Sequence, residues 1–186
     1  GISSSGALDR AAADRAARLV GNMPDTACLE SVLGGLSLRA AGDQVLAVTG
    51  AAVELEVVPA PTSESADRSA IEQSEPAEQT VSAPTPERGW RPRAGLPFAL
   101  KDGQTLRVGA PSDGLRVYVA VRGGIDVPAV IGSRATDTLA GLGRAALSDG
   151  DRPAVGRDPG TAVDWPLEVA GAPVAEKTSP SGPLEI

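Results

Sequence analysis

The spacing of apolar and polar positions changes once along this chain, near residue 28. Before that point Leu8, Ala12, Ala16, Leu19 and Val20 recur at helical spacing. Asp9, Arg10, Asp14, Arg15 and Arg18 fill the other positions, which predicts an amphipathic helix with its lead-in over 5–22. The segment is rich in alanine, so intrinsic propensity agrees with the pattern. Ser5 or Asp9 is placed to cap its start, and Gly21-Asn22 to end it.

After residue 28 the apolar stretches shorten to strand length: 28–33, 36–39, 44–48 and 53–58, separated by Gly34-Gly35 and Gly42-Asp43. In the last of these Val53, Leu55 and Val57 alternate with Glu54 and Glu56, the pattern of a half-buried strand. Strands resume at 96–100, 105–108 and 115–121, with turns at 101–103 and 109–114. The strongest strand signal is 115–121, where Leu115, Val117, Val119 and Val121 alternate with Arg116, Tyr118 and Ala120. Short apolar stretches follow at 129–131 and 138–142, and 165–169 is predicted as one more strand. Many short strands, one helix and frequent glycines predict a mainly-β barrel or sandwich with a flanking helix.

Residues 59–87 interrupt this pattern. They hold five prolines, five serines and six acids against Arg68, a net of −5 out of the chain's −7. Such a stretch buries too little apolar surface to offset its ordering entropy, so it is predicted to be a loop inserted between strands. The chain divides into a domain over 1–151, with the inserted loop and its flank over 59–93, and a Pro/Gly-rich extension over 152–186.

Composition narrows the chemistry. There is no histidine, which excludes Ser-His-Asp and Cys-His catalysis and a His-based zinc site within this chain. The acidic balance argues against nucleic acid as a partner. Cys28 is the single cysteine, a small hydrophobe by context, and suits a reducing, cytoplasmic setting. No apolar run reaches the length of a membrane span, and no signal peptide is visible. With four aromatic residues in all, the core must be built from Ala, Val, Leu and Ile. Two lysines, Lys101 and Lys177, make a lysine nucleophile improbable.

Two stretches could carry chemistry. In the first, Ser3, Ser4, Ser5 and Gly6 run into the helix start at Asp9, where free backbone N–H groups suit an anion; the alternative is a capped helix with a leader. In the second, a strand ends at Val121-Arg122-Gly123-Gly124-Ile125-Asp126-Val127-Pro128 and leads to Gly132-Ser133-Arg134-Ala135-Thr136-Asp137. Arg122 and Arg134 could clamp a carboxylate or phosphate, with Asp126 and Asp137 orienting them or accepting a proton; the alternative is Arg–Asp pairing that fixes a turn. Gly141-Leu142-Gly143-Arg144 lacks the Walker pattern and reads as a turn.

Taken together, Gly1-Ile2-Ser3-Ser4-Ser5-Gly6-Ala7-Leu8-Asp9-Arg10 with Arg18–Asn22, Cys28-Leu29-Glu30 with Gly34-Gly35-Leu36, Ala47-Val48-Thr49-Gly50-Ala51, and the 119–137 segment resemble the 5-oxoprolinase C-subunit family. That family is also called KipA or allophanate hydrolase subunit 2, and is similar to part of the carboxyltransferase region of urea carboxylase. The resemblance covers 1–151. It implies a cyclophilin-like β-barrel with a flanking helix, incomplete in this chain: the usual preceding strand is missing and the second half of the domain would begin where the chain stops. It implies an ATP-dependent hydrolase that opens 5-oxoproline to glutamate with two partner subunits, one of A type and one of KipI-like B type. ATP, with Mg, would then be bound or shared by a partner. On the matching positions it implies catalytic roles for Ser5 and Asp126, with Asp126 better suited to orienting an arginine. It implies substrate binding by Ser3, Asp9, Arg122, Ser133 and Arg134. Two other readings are a carboxyltransferase using carboxybiotin on a urea-like substrate, with the biotin carried elsewhere, and a non-enzymatic antagonist of a KipI-like kinase inhibitor.

Overall fold

The structure, a computed structural model, describes residues 6–60, 89–136, 141, 143–165 and 183–186. Among these residues are one helix, α1 (Arg10–Leu19), and eight strands: β1 (Leu29–Val32), β2 (Ser37–Ala40), β3 (Gln44–Ala52), β4 (Leu55–Val58), β5 (Pro97–Leu100), β6 (Thr105–Val108), β7 (Asp113–Val121) and β8 (Leu184–Glu185). They form two four-stranded antiparallel sheets, β1-β7-β3-β5 and β4-β6-β2-β8. The architecture is therefore mainly β with a flanking helix, as expected, and the described strands form two sheets rather than one closed ring.

Odd-numbered strands lie in the first sheet and even-numbered strands in the second, so every connection crosses between layers. The turns that make those crossings are fastened to one another. The backbone N–H of Asp102 donates to Asp43 Oδ1 (3.0 Å), and that of Gly42 donates to Asp102 Oδ1 (2.6 Å). Lys101 Nζ lies 2.7 Å from Asp43 Oδ2 and holds that carboxyl below its usual range.

The core fills the space between the sheets with Leu38, Leu46, Val48, Leu55, Val57, Leu100, Leu106, Val117, Val119, Val121 and Leu184. A second, thinner cluster sits on the outer face of the first sheet, where Ala47, Ala120 and Tyr118 meet Ala13, Ala16 and Leu19 of α1 and its C-cap Val20. Ala47 and Ala120 are register partners on adjacent strands, so their side chains make a shallow floor. The alanines of α1 add little bulk above it, so small residues on both sides let the helix lie close to the sheet. β3 and β7 are thus buried on both faces. This explains why Tyr118 and Ala120 are buried although the alternation placed them opposite Val117, Val119 and Val121.

The helix is shorter than 5–22. Asp9 caps it, accepting from the Ala12 N–H at 3.0 Å, and Leu8 stands outside it and 73% exposed rather than on the buried face. Its C-terminus closes as the motif calls for: the Asn22 N–H reaches the Ala17 carbonyl and the Gly21 N–H reaches that of Arg18, with Gly21 at φ +77°. β7 holds it at both ends. The Asp9 N–H donates to the Tyr118 hydroxyl at 2.8 Å, while Asn22 Nδ2 donates to the Val121 carbonyl at 2.7 Å.

Other expectations shift in detail. Leu115 is 65% exposed, not buried, because the first half of β7 runs beyond the covered part of the sheet. The short apolar stretch 129–131 leads into a turn closed by a Val130–Ser133 bridge. The expected strand at 165–169 and the stretch 138–142 lie largely outside the described residues. The described part of the 152–186 extension belongs to the same body: Val155 bridges Ile125, and Leu184, fully buried, pairs with Ala40. Where the chain returns from the 59–93 insertion, Trp90 exchanges backbone hydrogen bonds with Val57 and packs edge-on against Phe98.

Candidate functional site

Two places gather polar groups around α1. At its C-terminal end, Arg122 is the organising residue. Its Nε and Nη2 bind the two oxygens of Asp158 at 3.1 and 2.7 Å, a bidentate ion pair. Nη1 donates to the Val20 carbonyl (2.9 Å) and Nη2 also to the Thr161 carbonyl (2.6 Å). The guanidinium therefore caps the negative end of the helix dipole while tying the 156–164 segment across it. Its side chain is 11% exposed. The same guanidinium holds the Asp158 carboxyl below the usual carboxylate range. The Thr161 hydroxyl donates to the Gly21 carbonyl, and the Asp164 N–H reaches Leu19. Glycine is required at position 21, since a Cβ there would stand 2.6 Å from the Ala162 carbonyl oxygen.

This geometry corrects one expected role. The carboxylate that orients Arg122 is Asp158, not Asp126. Asp126 is exposed, and its backbone N–H reaches the Ala154 carbonyl. Arg134 is exposed as well and donates from Nε to the Val127 carbonyl at 3.2 Å, fastening its own loop. Ser133 accepts from the Ala135 N–H at 3.1 Å. Arg122 and Arg134 thus have separate partners, and nothing in the described contacts joins them into one clamp. Asp9 is engaged as the helix cap. Ser3 and Ser5 lie outside the described residues.

At the other end of α1 an open groove of about 590 Å³ lies beside the helix start. Its floor is short of side chains because Gly50, Gly95, Gly114, Ala51, Ala52 and Ala94 all line it. Gly50 marks a bulge in β3 against β7. It has φ +94°, and a Cβ there would meet the Arg116 carbonyl oxygen. The walls carry Arg15 from α1, Arg116 from β7, the exposed leucines Leu8 and Leu115, and the carboxylates of Asp9 and Asp113. Arg116 is ion-paired with Glu30 across the β1–β7 ladder, and Glu30 also accepts from the Leu8 N–H at 3.4 Å. Thr49, buried at the back, donates to the Ala12 carbonyl at 2.7 Å and so fixes the helix over the groove.

Cys28 lies near this second cluster. Burial, with help from the negative charges of Glu30 and Asp14, pushes its thiol up to about 11, so it is no nucleophile at neutral pH. The phosphate-binding groups of an ATP site are not assembled among the described residues: Lys101, the one described lysine, is bound to Asp43, and Gly141 and Gly143 open no helix. No helix among the described residues is long and apolar enough to cross a membrane.

Sequence reasoning missed the roles of Asp158, Thr161, Arg15 and Arg116, and saw Asn22 only as part of the helix stop and not in its side-chain bonds to Val121 and Gly123. Asn22 carried a signal, since a helix-terminating Asn whose amide is buried must satisfy both of its ends. Asp158 carried none, lying in a Pro/Gly-rich stretch with no periodicity.

The family model for the carboxyltransferase domain, subdomain A and B, matches residues 1–93 and 88–182. Over 160 residues the chain is 38% identical to the C subunit of 5-oxoprolinase from Escherichia coli, covering 84% of this chain and 42% of that protein. It is 31% identical over 143 residues to urea amidolyase of Saccharomyces cerevisiae, covering 77% of this chain and 6% of that one. Among solved structures, TTHA0988 matches at TM-score 0.62 and 28% identity over 83% of this chain and 47% of that one. The Kluyveromyces lactis urea carboxylase matches at TM-score 0.54 and 29% identity, over 73% of this chain and 9% of that one. The chain spans less than half the length of each of these relatives. With a family model matching nearly its whole length, the chain belongs to the carboxyltransferase domain, subdomain A and B family.

Proposed function

We propose that this chain is part of an ATP-dependent 5-oxoprolinase, in the place of its C subunit, and opens 5-oxoproline to glutamate together with partners of A type and KipI-like B type. The observation that carries this reading is the 38% identity to the 5-oxoprolinase C subunit over 84% of the chain. The local chemistry agrees with a dependent role. The chain has no histidine to serve as a base, and its one described lysine is already paired. ATP and Mg are accordingly assigned to a partner. What this chain offers is binding: arginines, backbone N–H groups and a groove of suitable size.

A second reading keeps a specific observation in its favour. The likeness to urea amidolyase and urea carboxylase supports carboxyl transfer from carboxybiotin to a urea-like substrate. Co-expression with the A-type and B-type partners separates the two. 5-Oxoproline-dependent ATP hydrolysis that requires all three chains is the expected result. Hydrolysis indifferent to 5-oxoproline, with carboxyl transfer from added carboxybiotin, would reverse the order.

A further inference from the structure

We infer that the groove beside the start of α1 is a binding site for a small carboxylate with an apolar body. Three observations converge on it. First, six of its lining residues are Gly50, Gly95, Gly114, Ala51, Ala52 and Ala94, so little side-chain bulk fills the space, and at Gly95 a Cβ would stand against the Arg15 guanidinium. Second, Arg15 Nη2 lies over this floor, 3.2 Å from where a Gly95 Cβ would stand, and the guanidinium has no ion-pair or hydrogen-bond partner among the described residues. Third, Leu8 and Leu115 are 73% and 65% exposed on the rim of the same groove. Two large leucines left in water beside a guanidinium with no partner among the described residues match a ligand with one anionic end and a hydrocarbon body.

The chemistry selects within that class. A guanidinium fork takes a carboxylate through two parallel N–H···O bonds. Arg116 adds positive potential on the opposite strand, although Glu30 takes part of it. Asp9 and Asp113 line the same space and would repel a second carboxylate while accepting from an N–H. A monocarboxylate with a neighbouring N–H and a ring of methylenes therefore fits better than a dicarboxylate. 5-Oxoproline is such a molecule and glutamate is not. Naming it rests on the 5-oxoprolinase reading, whereas the site itself rests on the groove.

The test is a titration of the whole chain followed by amide NMR, where Gly50, Gly95 and Gly114 report on the groove floor. The probes are 5-oxoproline, glutamate and uncharged 2-pyrrolidinone. 5-Oxoproline is expected to shift the three glycine amides saturably, with 2-pyrrolidinone at least roughly tenfold weaker for want of the charged hydrogen bonds. Arg15→Ala should weaken 5-oxoproline by a similar factor, and Arg15→Lys should recover only part of it because the fork is lost. Arg18→Ala, an exposed change one turn along α1, should leave binding unchanged. Binding that survives Arg15→Ala, or that falls equally with Arg18→Ala, overturns the site, as does the absence of any shift with all three probes. If another small carboxylate binds through Arg15 while 5-oxoproline does not, the site stands and the 5-oxoprolinase reading falls.

Discussion

The most informative single residue is Arg122, because sequence and structure use it differently. By sequence it ends the strongest strand beside two glycines and suggests an anion clamp. In the fold its donors are already committed to Asp158, Val20 and Thr161. With four of its five N–H donors so engaged, Arg122 ties the helix end to the 158–161 segment, and its removal carries a stability cost. The ion pair also gives the fold an acid limit. The Asp158 pKa is depressed in the folded state, first by its hydrogen bond to Arg122. A depressed carboxyl contributes stability above its unfolded value, about 3.9, and loses it as pH falls through the folded pKa. Asp158→Asn should therefore cost about 1–2 kcal/mol at pH 7 in urea titrations. The gap from wild type should stay flat down to about pH 5 and shrink below about pH 4. A gap that persists unchanged to pH 2 would remove the ion pair as its cause.

Among the elements, the helix and the turns show how much depends on backbone that only glycine allows. The turn after β1 places Leu33, Gly34 and Gly35 at φ of 63°, 68° and 73° in succession. Leu33 accepts that conformation at a cost of roughly 1–2 kcal/mol. Gly34 is fixed by crowding, since a Cβ would meet the Gly109 carbonyl oxygen, whereas Gly35 has nothing within 4 Å. Gly50 combines both constraints, at φ +94° with the Arg116 carbonyl oxygen in the way and the Tyr118 ring at 3.2 Å. These differences predict an order. Gly35→Ala should cost about 1–2 kcal/mol, the conformational strain alone. Gly50→Ala should cost at least about 2 kcal/mol more, because the β3–β7 ladder must shift or the Tyr118 contact to the Asp9 N–H must break. Chemical denaturation of the two variants side by side checks this, and equal losses would show that strain, not crowding, sets the need for glycine at 50.

At the scale of the whole molecule, what could be read from the sequence follows from what is local. The helix pattern, the edge-strand alternation at 53–58 and the glycine turns depend on near neighbours, and they emerged with small boundary errors. Three features depend on distant partners. β3 and β7 are apolar on both faces because α1 covers the outside of their sheet, so a period of two could not assign Tyr118. The strict alternation of strands between sheets leaves no hairpin whose turn would announce the pairing. β8 joins β2 from the far end of the chain, and Asp158 reaches Arg122 from 36 residues away. The candidate site suffered most. The family-like motif residues were recognisable, but Arg15 and Arg116 acquire meaning only when the helix start is laid against the end of β3.

The same topology gives a definite expectation for the acidic stretch. The fold leaves it at one end and receives it at the other through neighbouring backbone: Val57 and Trp90 exchange two hydrogen bonds of 2.8 and 3.1 Å, and Trp90 packs on Phe98. Those contacts are complete within the described residues, and β4 and β5 are each paired to strands elsewhere, β6 and β3. Removing 61–87 and joining the flanks therefore shortens a connection and leaves every described strand of both sheets in place. Closing a connection of about thirty residues costs more entropy than closing one of about five, by about 1–2 kcal/mol. The excised segment also carries −5 of the chain's −7. The shortened chain should thus unfold at a higher urea concentration, its stability raised by about 1–2 kcal/mol, with an unchanged denaturant slope. A lower midpoint, or a smaller slope, would mean that residues of 61–87 cover part of the core and that the Val57–Trp90 bridge depends on them.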